Sequence, residues 1–269
     1  MHHLALESGD PDALAAFYAR AFGYRIEREG AFLLGRGPTR RLLFIAGRAK
    51  KLAFAAFELA DAAELDRLRR RLDAAACPHE PFETPFFEDA LAVHDPDRNR
   101  FVFGLSKPVG TGGDVAVPPA RLQHVVTASS NAETVARFFT DVLGFTLSDV
   151  VLDGDDGVRA CFLRCSHEHH SFAVFQAAES RFDHHCYETR DWNAIRDWAD
   201  HLAVERIPTR WGPGRHGPGN NLFLFVNDTD GNWVELSAEL EVVSHDRPFG
   251  RWPHEERTLN SWGQGLMRS

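Results

Sequence analysis

Three side chains in the C-terminal half of the chain could together hold a divalent cation: His124 in LQHVV, His184 in FDHHCYE and Glu235 in NWVEL. Two imidazoles and one carboxylate suit a first-row metal. With coordination positions left over, they make the facial set used by non-haem iron(II) oxygenases. The carboxylate lowers the net charge, the imidazoles hold a borderline metal, and the free positions admit a substrate and dioxygen side by side. The same donors accept Mn(II), Zn(II) or Ni(II), so ligand type leaves the metal open. A single histidine on a strand is more often a satisfied core or surface residue than a ligand. What singles out these three is a comparison within the chain.

The elements that must carry them occur twice. HHLALESGDPDALAAFYARAFGY near the N-terminus aligns without a gap on QHVVTASSNAETVARFFTDVLGF, placing His3 on His124, Phe17-Tyr18 on Phe138-Phe139 and Gly23-Tyr24 on Gly144-Phe145. Each stretch reads strand, turn, helix, glycine, strand. HVVTA is apolar enough for a buried strand, Asn131 can cap the helix start, and Val135, Phe138, Phe139 and Val142 share one helical face. Gly144 suits a left-handed helix end. The second halves also match: LAFAAFEL (52–59) and FDHHCYET (182–189) each precede an Asp and an amphipathic helix, then Pro78 or Pro208, then two apolar strands around an Asp turn.

Aligning Asp95-x-Asp97-x-Asn99 on Asp228-x-Asp230-x-Asn232 puts Val102 on Glu235. The first copy therefore carries His3, Phe54 and Val102 where the second carries His124, His184 and Glu235. Duplication followed by loss of one site accounts for the difference. The reading is an α+β chain with domains at 1–107 and 119–243, a tail at 244–269, and a Gly-, Pro- and Val-rich linker near 107–119. One βαβββ unit cannot close a core; paired units can form a curled, partly closed mixed sheet with a cavity inside and helices outside. The tail, with Phe249, Trp252 and Trp262, is expected along the outer surface or at a subunit contact, with a lid over the cavity mouth as the functional alternative.

The bulk properties narrow the partners. The chain has 269 residues, 43% of them hydrophobic, and a formal net charge of −9. An acidic balance argues against nucleic acid or an anionic membrane as the main partner. Cys77, Cys161, Cys165 and Cys186 match no zinc ribbon or disulfide framework, which points to reduced thiols and a cytoplasmic setting. The opening MHHLALESGD has no basic region followed by an apolar run, so no signal peptide is expected. No apolar stretch is long enough to span a bilayer.

These residues resemble the vicinal oxygen chelate superfamily (glyoxalase/bleomycin resistance/dioxygenase fold) and, within it, the two-domain type I extradiol dioxygenases. The resemblance runs from LALESGD to about Val243. Its most specific stretch is WGPGRHGPGNNLFLFVNDTDGNWVEL. It implies cleavage of a catechol-like ring with O2, Fe(II) or alternatively Mn(II) as cofactor, a small aromatic diol as substrate, and a homo-oligomer. Carried over, the metal ligands are His124, His184 (in preference to His185) and Glu235. Neighbouring strand residues point to opposite faces, so only one of the histidine pair can reach the metal. The catalytic histidines implied are His170, with His169 as runner-up, and His216. His170 would act as acid/base, and His216 would hydrogen-bond the substrate. The sequence departs from the family at Phe225, where a tyrosine is usual; a phenyl ring cannot donate that hydrogen bond. The alternatives are a redox-neutral lyase, isomerase or epimerase on the same metal set, and a protein that binds an aromatic ligand without turnover. His245 and His254 are not expected to be ligands.

Overall fold

The computed structural model describes residues 1–30, 32–108 and 116–267; most of the linker region read near 107–119 lies outside the described residues. The first sheet holds β1 (His3–Ser8), β2 (Arg25–Glu29), β3 (Phe32–Gly37), β4 (Arg40–Ala46), β5 (Lys51–Glu58), β6 (His79–Pro81), β7 (Phe87–His94) and β8 (Arg100–Ser106). Helix α1 (Pro11–Phe22) follows β1, and α2 (Ala62–Ala74) follows β5. The second sheet holds β9 (Arg121–Ser129), β10 (Thr146–Leu152), β11 (Val158–Arg164), β12 (Phe172–Gln176), β13 (Arg181–Thr189), β14 (Trp211–Arg215), β15 (Leu222–Asn227), β16 (Trp233–Ala238) and β17 (Gly250–Pro253). Helix α3 (Ala132–Arg137) runs on as a π-helical turn, Phe138–Leu143, and α4 (Trp192–Val204) and α5 (Glu256–Leu259) complete the helices described.

The chain is thus four βαβββ units, two per sheet, plus a C-terminal extension. Their helices start the same way: Asp10, Asp61, Asn131 and Asp191 each accept a hydrogen bond from the backbone amide three residues on. This satisfies one of the amide donors that a helix start leaves unpaired. Gly23 (φ 65°) and Gly144 (φ 83°) end their helices in the left-handed region, which a side chain resists.

Within each sheet the two units meet through their first strands, β1 against β5 and β9 against β13, both antiparallel. The strand orders are β2-β3-β4-β1-β5-β8-β7-β6 and β14-β15-β16-β13-β9-β12-β11-β10-β17, so both sheets keep open edges and neither closes into a barrel. The pairing gives the internal repeat a register. His3 lies opposite Ala56, which lies opposite Val102; His124 lies opposite Cys186, which lies opposite Glu235.

One apolar core joins the two sheets. Phe139 stacks on Phe172 with centroids 3.8 Å apart and meets the edge of Phe101 from β8 at 4.9 Å. Fully buried Arg40 reaches from β4 to the carbonyl of Ala120 at 2.7 Å, just before β9. Phe101→Ala is expected to destabilise the chain by about 3–5 kcal/mol, because the cavity it opens is walled by both sheets. Urea unfolding followed by circular dichroism checks this; a loss under about 1 kcal/mol would mean the sheets do not depend on that contact.

The segment after Val243 does more than lie along the surface. β17 pairs in parallel with β10 and extends the second sheet, and Thr258, Leu259 and Leu266 border the cavity described next. Asp149 anchors this segment: it accepts hydrogen bonds from Trp252 Nε1 at 2.6 Å, Gly250 N at 3.0 Å and Arg247 at 3.0 Å. No helix among the described residues is long and apolar enough to cross a membrane.

Candidate metal centre

Strands β9, β13 and β16 lie side by side, and their register places His124, Cys186 and Glu235 in one row across the sheet. His184 sits two residues before Cys186 and so projects from the same face. His124 Nε2 lies 3.1 Å, and His184 Nε2 3.2 Å, from the same Glu235 oxygen, Oε2. Donors bound to one ion at about 2.1 Å and at right angles would be about 3.0 Å apart. All three side chains are buried.

Their outer nitrogens make the stronger argument. His184 Nδ1 is 2.6 Å from Asp183 Oδ1, and His124 Nδ1 is 2.5 Å from Gln123 Oε1. Gln123 Nε2 donates to the carbonyl of His170 at 2.6 Å, which turns the amide so that its oxygen faces His124. Both acceptors call for a proton on Nδ1. Neutral rings held this way would aim bare Nε2 lone pairs at a carboxylate oxygen, so the cluster calls for a positive charge there, a bound cation or, without one, a proton on one ring. The donor set therefore fits a divalent cation.

The electrostatics agree. Burial works against ionisation of Glu235, but the imidazoles of His124, His184 and His216 outweigh it and hold the carboxyl well below its usual range. Burial also disfavours charge on His184, yet Asp183 and Glu235 raise its pKa above the usual value. Burial dominates at His124 and lowers its pKa.

The Cys186 sulfur, a His124 nitrogen and a Glu235 oxygen also lie within 4.8 Å of one another. A thiol binds metal as the thiolate. Burial, followed by the charges of Glu235 and Glu188, pushes the Cys186 thiol well above its ordinary pKa. His184, with its nitrogen already oriented, is the better third donor.

The remaining candidates fall into two groups. His170 and His216 border the same cavity as His124, His184, Glu235 and Phe225. His170 lies against His124, with centroids 4.5 Å apart. Its Nδ1 is 3.0 Å from His169 Nδ1, and His169 Nε2 is 3.1 Å from buried Asp149. His169 is thus behind His170, not in the cavity. His169 Nε2 lies near Asp149 without closing a hydrogen bond to it, so the Nδ1–Nδ1 contact is satisfied by a proton on either ring; with that proton on His170, the His170 Nε2 lone pair is free. Burial drives the His170 pKa well below the usual value, so the ring is neutral at pH 7. His216 donates Nδ1–H to the Leu259 carbonyl at 2.5 Å, stacks on Phe223 with centroids 4.0 Å apart, and holds Nε2 3.6 Å from Glu235 Oε1.

His185 points to the opposite face, where Tyr18 of α1 meets it at 3.3 Å. Phe225 lies opposite Glu235 in the β15–β16 ladder, with Trp211 stacked on it at 5.2 Å. Gln123, Asp183 and Asn221 escaped the sequence reading; Asn221 Nδ2 is 3.3 Å from Glu235 Oε1 and 2.9 Å from Ser237 Oγ. The neighbour positions of Gln123 and Asp183 could have flagged them as supports for the histidines. Asn221 had no such signal. In the first sheet the matching row is apolar apart from His3, whose Nε2 meets Thr84 at 3.2 Å and whose ring packs on Phe54, Phe86 and Phe87.

Asp183→Ala should weaken metal affinity by about 10–100-fold, the usual effect of losing a carboxylate that orients a ligating imidazole. Competition with a chelator measures it; unchanged affinity would mean Asp183 plays no part in orienting His184.

Comparison with known proteins gives this geometry relatives. The family model described as Glyoxalase/Bleomycin resistance protein/Dioxygenase superfamily matches residues 121–236. Metapyrocatechase 2 of Cupriavidus necator is 27% identical over 97% of this chain and 88% of its own length. The Mn(II)-bound glyoxalase from Novosphingobium aromaticivorans superposes with a TM-score of 0.85 at 27% identity, covering 98% of this chain and 90% of that one. Homoprotocatechuate 2,3-dioxygenase from Brevibacterium fuscum shares the fold, with a TM-score of 0.87 at 20% identity over 99% of this chain and 89% of its own. Over residues 121–236, then, the chain is similar to the Glyoxalase/Bleomycin resistance protein/Dioxygenase superfamily.

Proposed function

We propose that the chain is an extradiol ring-cleaving dioxygenase that opens a catechol-like ring with O2, with His124, His184 and Glu235 holding Fe(II), or Mn(II) in its place. The observation that carries this reading is the convergence of two oriented imidazole nitrogens on one buried carboxylate oxygen, beside a cavity that also contains two further histidines. Bound there, the metal supplies a Lewis acid for two adjacent substrate oxygens and a path for electrons from substrate to dioxygen.

The chain's own residues do the rest. His170, neutral and with Nε2 free, takes a proton from a substrate hydroxyl and returns it later in the cycle. His216 accepts a hydrogen bond through Nε2, its ring fixed by the Leu259 carbonyl and Phe223. Asn221 holds the Glu235 oxygen that faces away from His124 and His184. The apolar walls exclude water, which strengthens each of these polar contacts.

The test is to load the purified protein with Fe(II) without oxygen, add a panel of catechols and admit air. Oxygen uptake with a yellow ring-opened product is expected; neither, across a broad panel, would refute the proposal. Phe225 gives weight to a second reading, a redox-neutral lyase or isomerase. Zn, Ni or Mn in the purified protein, with turnover indifferent to oxygen, would favour it. Phe225→Tyr tests the departure directly. One added neutral hydrogen bond of about 1 kcal/mol should raise kcat/KM about fivefold, and a fall would mean the substrate does not use a donor from that strand.

A further inference from the structure

The cavity beside the metal-ligand candidates runs from β13 and β9 across β12, β11 and β10. Val126, Val151, Phe162, Phe175, Trp211 and Phe225 line it with apolar surface, and Leu266 from the C-terminal segment borders it. The charged side chains among its described lining are two acids, Asp183 and Glu235, and two arginines, Arg159 and Arg181; no lysine lines it. Both arginines have acidic neighbours. Arg159 Nε donates to Asp153 Oδ2 at 2.9 Å, and Asp153 is itself fixed by the amides of Asp155 and Gly157. An Arg181 nitrogen lies 3.9 Å from Asp183 Oδ2. His254, also on the wall, has its pKa lowered by burial and by Arg159, so it is neutral at pH 7. A carboxylate brought into this space would meet mostly apolar walls, and the two arginines on them already face Asp153 and Asp183. A buried charge without a partner is strongly disfavoured, and the chain's net charge of −9 opposes the approach of an anion.

We infer that the substrate is an ortho-dihydroxy aromatic whose ring substituent is uncharged and apolar, an alkyl or aryl group, and that the cavity discriminates against ring substituents carrying a carboxylate. This deepens the ring-cleaving reading and rests on it.

The experiment compares propylcatechol with the matching dihydroxyphenylacetate, each in the 3- and 4-substituted forms, with catechol as reference. Binding to Mn(II)-loaded protein is measured by calorimetry without oxygen, and turnover of the Fe(II)-loaded protein by oxygen uptake. The expected result is a preference for the propyl compound of at least about tenfold in both affinity and kcat/KM. Equal or better use of the carboxylated compound, while catechol is turned over, would overturn this inference and leave the dioxygenase reading standing. Selective binding with no oxygen uptake would support the apolar preference and refute the dioxygenase reading. No binding of any catechol would overturn both. Leu266→Arg, at a partly exposed lining position, should narrow the preference at least threefold; an unchanged ratio in a folded variant would overturn the assignment of this wall to the substituent.

Discussion

Glu235→Ala is expected to abolish metal retention and, with it, oxygen uptake. Among the described residues Glu235 is the negative charge that faces both His124 and His184, and its Oε2 is the point on which both imidazoles converge. Its loss should cost more than the ~10–100-fold typical of an outer-shell partner such as Asp183. Elemental analysis and calorimetry with Mn(II) or Fe(II) measure it. A variant that keeps near wild-type affinity would remove Glu235 from the ligand set.

The same site sets a pH dependence. In the metal-free protein His184 binds a proton above the usual imidazole range, because Asp183 and Glu235 outweigh burial. A metal ion must displace that proton, so affinity should fall as pH drops through the raised pKa, beginning above about pH 6.5. The His124 pKa is lowered, so it stays neutral and does not add to the competition in that window. Affinity that is flat between pH 8 and 6 would contradict the sign.

His170→Phe is expected to lower kcat by about 10²–10⁴-fold, the range for losing a positioned acid/base group, while metal content stays at the wild-type level. The substitution suits the surroundings, since the His170 ring packs on Phe162 at 5.2 Å and is buried. The result distinguishes proton transfer from metal binding. Loss of metal along with activity would mean that His170 serves the metal set through its contact with His124. Full activity would mean that the substrate proton leaves by another route, with His216 the next group to examine.

Much of the fold is legible in the residues because it is periodic and repeated. The helices begin at Asp10, Asp61, Asn131 and Asp191 since those side chains satisfy amides that no helix can satisfy itself. The gapless match of His3 on His124, and the shared Asp-x-Asp-x-Asn turns, carry the pairing of strands that the register then displays. The three ligand candidates are readable for the same reason: where two copies share a backbone, a change from His3, Phe54 and Val102 to His124, His184 and Glu235 reports a change of task.

What the chain alone could not decide depends on contacts between residues far apart in sequence. The sequence leaves the tail between a surface or subunit-contact segment and a lid over the cavity mouth, because nothing local shows that Gly250–Pro253 pairs with β10 or that Trp252 donates to Asp149. The neutral state of His170 follows from burial, and its Nδ1 partner from the fold that sets His169 behind it, neither of which has a linear signature. The roles of Gln123 and Asp183 depend on rotamers set by packing, and Asn221 reaches Glu235 only because β15 and β16 pair. Local sequence determined which elements form and which side chains could bind a metal. The tertiary structure decided where the protons sit and what kind of wall the substrate faces, because both depend on burial and on partners that only the folded chain brings together.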